Sequence, residues 1–224
     1  MTGHGLTGIA DAGAFLARVT RLDPGAVVRL RSRPAERTAL WGRLPWAALV
    51  CRTVPGSGPG DATVSAGALL SELSSGGDRL PTRRDADWRW PLPPDDGGRV
   101  VERIPAGQLL RIAVAAAGAL RSASEQGVGG RAVGQRALRD ALLDHVAIEI
   151  TDVPDAPAAR VEVSQRLVQA MVRMAFLGQA GNRPDETIQV RLAGRWVGLV
   201  GPFGSAWLPR GDQLVIRAGP HPNR

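Results

Sequence analysis

Apolar residues recur along this chain with two periods, and the switch from one to the other marks its elements. Between Gln165 and Leu177 they occupy almost every face of a helix: Leu167, Val168, Ala170, Met171, Val172, Met174, Ala175, Phe176 and Leu177. Only Arg166, Gln169 and Arg173 interrupt them, and a spacing of i, i+3 and i+7 lines these three up as one narrow polar stripe. Ser164 stands before the helix as a candidate N-cap, and Gly178 stops it. A helix this apolar must be wrapped by other elements, so it is read as the core.

From Thr187 the period changes to two. Thr187–Leu192 and Arg195–Val200 alternate on either side of an Ala193-Gly194 turn and predict a hairpin, after the turn residues Gly181, Asn182, Arg183 and Pro184. Gly201 to Leu208 predicts a third strand, and Gln213 to Arg217 a fourth. Upstream, strands are expected at residues 26–31, 38–42, 46–54, 99–103 and 146–151. Helices are expected at 11–20, 66–73, 105–125 and 133–145, with Pro105 suited to a first helical turn. The two ends of the chain also rhyme. Each has an apolar helix, a Val-Arg-Leu strand (residues 28–30 and 190–192), a Trp-bearing strand, and a Pro-aromatic-small-small stretch (residues 45–48 and 202–205), which reads either as an internal duplication or, more simply, as the chance likeness of short hairpins in an Arg-rich chain.

These elements predict an α+β protein of two small lobes, each pairing helix with antiparallel sheet. The N-terminal lobe spans residues 1–98 and ends in a Pro-rich bridge at 76–98; the C-terminal lobe spans 99–219. From Pro105 to Val200 the order helix, helix, strand, helix, hairpin is that of a winged-helix module.

Composition narrows the chemistry. All 28 basic residues are Arg, the pattern of a high-GC bacterial genome, so the pI of 11.3 partly reflects Arg replacing Lys. The net charge of +7 still favours anionic partners. Without Lys there is no Walker A clamp, kinase-type Lys or Schiff base, and without Tyr no tyrosyl nucleophile. No Ser lies in a G-x-S-x-G elbow. The single Cys51 excludes an intrachain disulfide and fits a reducing cytoplasm. No signal peptide is visible, and the longest apolar run, Ile112–Leu120, is too short to cross a bilayer, so a cytoplasmic protein without a membrane partner is expected. Gly127 to Gly134 follows a helix and lacks dinucleotide-binding spacing, so it reads as a linker.

The functional expectation is therefore non-enzymatic nucleic-acid binding, with DNA foremost. Gln165, Arg166, Gln169 and Arg173 would face the nucleic acid, and Arg191 and Arg195 would flank it from the hairpin. A different class of reading makes the chain a protein-interaction or scaffold module, or an accessory subunit, using Trp88, Trp90, Trp196 and Trp207 as hot spots toward a protein partner or a second copy. In Trp88-Arg89-Trp90 the two indoles fit best as an anchor for a long loop. A small metal-assisted hydrolase built on Asp140, Asp144 and His145 ranks third; the solvated-face reading of that cluster is preferred, and no catalytic residue, metal or cofactor is assigned.

Overall fold

Val28 and Leu30 alternate with Arg29 and Arg31, which fixes one apolar and one charged face on the first strand. In the computed structural model, which describes residues 3–126, 135–151, 160–178 and 186–210, that alternation becomes strand β1 (Val27–Arg33) of an eight-stranded antiparallel sheet. A meander continues it through β2 (Arg37–Arg43) and β3 (Leu49–Pro55), and β4 (Asp61–Ser65) returns to the outer side of β1. The other half holds β5 (Arg99–Pro105), β8 (Thr187–Ala193), β9 (Trp196–Gly201) and β10 (Gly204–Pro209). Strand order across the sheet is β4-β1-β2-β3-β10-β9-β8-β5.

That order is symmetric about its centre. Helix α1 (Ile9–Leu22) leads into β1-β2-β3, and α5 (Gln165–Arg173) leads into β8-β9-β10; the outermost strands run directly into α2 (Ala66–Ser74) and α3 (Ala106–Gln126). The rhyming stretches fall at equivalent places. Both Val-Arg-Leu triplets lie on the first meander strand, Trp41 and Trp196 on the second, and the Pro-aromatic stretches between second and third. The α+β class with antiparallel sheet is what the fold has, but its two halves share one sheet instead of owning one each.

The α-helices among the described residues lie toward one face. Leu16 and Val19 of α1, Leu69 of α2, Leu109 of α3 and Leu167 and Met171 of α5 are fully buried over Val28, Leu30, Leu40, Val50, Ile188 and Leu199. Burial of each such large side chain contributes roughly 1.5–3 kcal/mol. A small two-stranded sheet, β6 (Val146–Ile150) with β7 (Val161–Ser164), and helix α4 (Gln135–Asp144) pack around α5. No helix among the described residues is long and apolar enough to cross a membrane.

The opposite face carries no α-helix among the described residues, only the 3-10 turn Asp85–Asp87 before Trp88, and is covered by indoles. Trp41, Trp196 and Trp207 lie there with Leu49, Cys51 and Ala193, under Trp88 from the segment between α2 and β5. Trp88 Nε1 donates to Trp90 O at 2.7 Å, and the two rings meet edge to face at 5.5 Å. This segment is an anchored strap, as the paired Trp suggests. Burial pushes the Cys51 thiol up to about 12, so it sits there as a small apolar side chain.

Four expectations need correction. The winged helix is absent, because α5 is the buried centre of the helix layer and β8-β9 is part of the large sheet. The α5 helix ends at Arg173, four residues early: Ala175 takes a φ of 56°, and Ala175 N and Phe176 N bond back to Val172 O (3.0 Å) and Met171 O (2.9 Å), a Schellman closure. Ser164 occupies the N-cap position without a side-chain capping bond. Strands β4 and β7 were not anticipated. The expected turn at 181–184, the linker at 127–134 and the strand at 213–217 lie outside the described residues.

Three outcomes follow for stability. A Cβ at Gly198 would sit 2.5 Å from Cδ2 and Cζ3 of Trp207, so Gly198→Ala lowers the unfolding free energy by about 1–3 kcal/mol in a denaturant titration; an unchanged midpoint contradicts this packing. Ala175→Gly removes a left-handed alanine and raises stability by up to about 1 kcal/mol; a loss contradicts the closure described. Asp61, hydrogen-bonded by Arg29 at 2.7 Å, is held below the usual carboxylate range chiefly by that bond. Its contribution is therefore present above the unfolded value of about 3.9 and lost as pH falls through the lower folded one. Asp61→Asn should cost up to about 1 kcal/mol at pH 7 and nothing near pH 2, as read by urea unfolding at both.

Candidate functional site

Where β2 and β3 turn, where β10 ends and where α5 begins, the two halves of the sheet leave a gap that the strap does not fill. The gap is a pocket of about 450 Å³, within the range of ligand clefts. Its walls are apolar: Leu49 and Ala47 from the first half, Leu208, Pro209 and Trp196 from the second, and Trp90 with Pro91 from the strap. Three arginines line it, Arg43, Arg166 and Arg195, and among the described residues no carboxylate does.

Local sequence explains each wall. Leu44 N bonds to Ala48 O (2.8 Å) and Ala47 N to Leu44 O (2.9 Å), a tight turn that holds Ala47 at a φ of 72°. On the other side, Ala193 pairs with Trp196 across a two-residue turn whose first residue, Gly194, has the φ of 57° that such turns require of glycine. Arg210 N then bonds to Arg195 O at 2.6 Å, tying the end of β10 to that turn.

A reciprocal bond across the chain fixes the floor. Trp46 Nε1 donates to Arg166 O at 3.0 Å, and Arg166 donates back to Trp46 O at 2.7 Å and to Asp144 Oδ1 at 2.7 Å. Arg166 is thus committed to structure. Arg43 is not: its guanidinium lies 4.8 Å from the centre of the Trp90 ring. Neither Arg43 nor Arg195 has a carboxylate partner among the described residues.

The six residues expected to meet nucleic acid do not converge. Gln165 is 3 % exposed with its Oε1 unpartnered, Gln169 is half-buried, and Arg173 lies at the far end of α5 from the pocket. Arg191 lies on the strap side of the sheet, where it donates to Gly97 O at 3.2 Å and Gln189 Oε1 at 3.0 Å. Arg166 and Arg195 alone come together, at the pocket. Other arginines are neutralised locally, as where Arg29, Arg31 and Arg33 pair with Asp61 and Asp95.

Of the four tryptophans, Trp90 and Trp196 line the pocket, Trp196 through the small part of it that is exposed, whereas Trp88 lines a different cavity and Trp207 is buried in the sheet face. Trp207 Nε1 donates to Ser205 Oγ at 2.9 Å. Asp144 is held below the usual carboxylate range, chiefly by the hydrogen bond from Arg166, which offsets the helix C-terminus beside it. Among the described residues no three His, Cys, Asp or Glu stand close enough to hold a metal ion. A second cavity lined by Arg29, Asp61, Arg83 and Asp85 balances its own charges. Arg43, Ala47, Leu49, Pro91, Leu208 and Pro209 were not anticipated as site residues; the only early sign of them was the repeated Pro-aromatic stretch beside Ala47.

Comparison with solved structures shows what fold this is. The DNA polymerase III subunit beta from Pseudomonas aeruginosa superposes with a TM-score of 0.54 at 14 % identity, covering 96 % of this chain and 64 % of that one. A sliding clamp from the same organism, bound to griselimycin, gives 0.54 at 12 % identity, covering 100 % and 67 %. The beta subunit from DNA polymerase of Streptococcus pyogenes gives 0.53 at 12 % identity, covering 96 % and 65 %. This chain therefore has a clamp-like fold and spans about two thirds of the length of those chains. That fold, with the scattered arginines, overturns the winged-helix nucleic-acid reading. No curated protein matches the sequence. Residues 6–91 match the model described as Domain of unknown function (DUF8010). Residues 93–213, more than half of the chain, match the model described as Domain of unknown function (DUF8185), and the chain belongs to that family.

Proposed function

We propose that this protein is a non-enzymatic docking module that holds a short segment of a protein partner in the pocket between Trp90 and Trp196. The observation that carries the reading is the pocket itself: apolar on most of its wall, open to solvent, and assembled from both halves of the sheet and the strap. Buried aromatic anchors of this kind are where interface energy concentrates. The fold agrees with such a role, since solved proteins that share it are subunits of a larger polymerase. The cluster of Asp140, Asp144 and His145 gives no competing enzymatic reading, because Asp144 is engaged by Arg166.

The test is to select binders from a phage-displayed dodecamer library on the intact chain and map them by NMR. The six Trp indoles give six Nε1–H signals. A selected peptide should move the signals of Trp90 and Trp196 and leave that of Trp207 in place, and Trp90→Ala should weaken binding by about tenfold or more, the loss expected of a hot-spot residue. Failure to select any peptide, or shifts confined to the helix layer, would overturn the docking role.

A further inference from the structure

Resting on the docking reading, we infer that the segment held by this pocket carries a carboxylate directly beside an apolar side chain, and that Arg43 and Arg195 receive it. The pocket wall presents cations without anions. Arg166 is spent on Asp144 and Trp46 O, whereas Arg43 and Arg195 have no carboxylate partner among the described residues. These two cations stand on opposite elements, Arg43 at the end of β2 and Arg195 at the β8-β9 turn, and they share the pocket with Leu49, Leu208 and Trp196.

Their settings suit a carboxylate. Arg43 holds its guanidinium over the Trp90 ring, 4.8 Å from the centroid, and a cation held there can still donate to a carboxylate. Stacking also restricts its rotamers before binding, which reduces the ordering cost of recognition. Arg195 is fixed through its backbone, where its carbonyl accepts from Arg210 N at 2.6 Å, while its side chain is exposed. Apolar walls lower the local dielectric, so a carboxylate entering with an apolar neighbour interacts more strongly than on open surface.

Nucleic acid is a poorer occupant. A strand would need a row of cations along its backbone, and the arginines nearest on the same sheet, Arg29, Arg31 and Arg33, are paired with Asp61 and Asp95. An acidic peptide needs only the two that have no carboxylate partner among the described residues.

The experiment repeats the library selection on the wild type and on an Arg43→Glu/Arg195→Glu variant, with circular dichroism confirming that the variant folds. Wild type should enrich Asp or Glu next to Leu, Ile or Phe, and the variant should enrich Lys or Arg at the same place. A labelled wild-type binder should lose about tenfold in affinity when its acid is changed to the amide, roughly the 1.4 kcal/mol of a charge-assisted pair. Peptides that still move the Trp90 and Trp196 signals but show no acidic preference would overturn this inference and leave the docking role standing. Absence of any pocket-binding peptide would remove both, and tighter binding of a labelled single-stranded oligonucleotide than of any peptide would overturn the peptide assignment.

Discussion

Three residue pairs hold the two halves of this molecule together: Leu49 with Trp207, Val50 with Ala206 and Cys51 with Ser205. This pairing of β3 with β10 joins two four-stranded halves, each a meander flanked by one outer strand, into one sheet, and everything else depends on it. Both sides are sealed. Val50 and Ala206 are fully buried under the helix layer, where Phe15 of α1 stacks with Phe176 beyond α5 at 6.5 Å. Leu49, Cys51 and Trp207 lie under the strap. Close approach at the seam requires Gly204, whose φ is 151° and whose missing Cβ would lie 2.5 Å from Phe176 and 2.7 Å from Cys51 O.

The same seam creates the site. With the α-helices of the described residues on one face, the other needs cover, and the strap supplies it through Trp88. The strap then runs out over the junction with Trp90 and Pro91, above the point where the turn after β2 meets the end of β10. The gap left there is apolar because its walls are continuations of the two cores, and it is cationic because Arg43 and Arg195, unlike Arg166, have no carboxylate partner among the described residues. The Trp46–Arg166 exchange, spanning both halves, keeps the floor of the gap in place.

Much of the local structure was readable from periodicity. Alternation in Val28-Arg29-Leu30 and Val190-Arg191-Leu192 located both meanders, and the repeat of Pro-aromatic stretches marked equivalent turns. The end of α5 was misplaced because Met174 to Leu177 are as apolar as the helix before them, and the left-handed Ala175 that closes it leaves no glycine signal. The role of α5 was misjudged for a related reason. Its polar stripe at Arg166, Gln169 and Arg173 looked like a contact surface, yet Arg166 turns inward to Asp144 and Trp46. Tryptophans on alternating strands were visible, but which of them would be covered depends on strand order, and no local pattern encodes that β3 lies beside β10. The pocket was hidden for the same reason: its residues come from five separate stretches of chain.

Hydrogen exchange of backbone amides along β3 and β10 addresses the seam most directly. If the two halves form one cooperative sheet, the hydrogen-bonded amides of residues 49–51 and 205–207 will exchange only through global unfolding, with the same free energy as those of β1 and β2. Exchange of the seam amides at a much lower free energy than that of either flanking meander would show that the halves part independently, and would contradict both the shared sheet and the pocket built upon it.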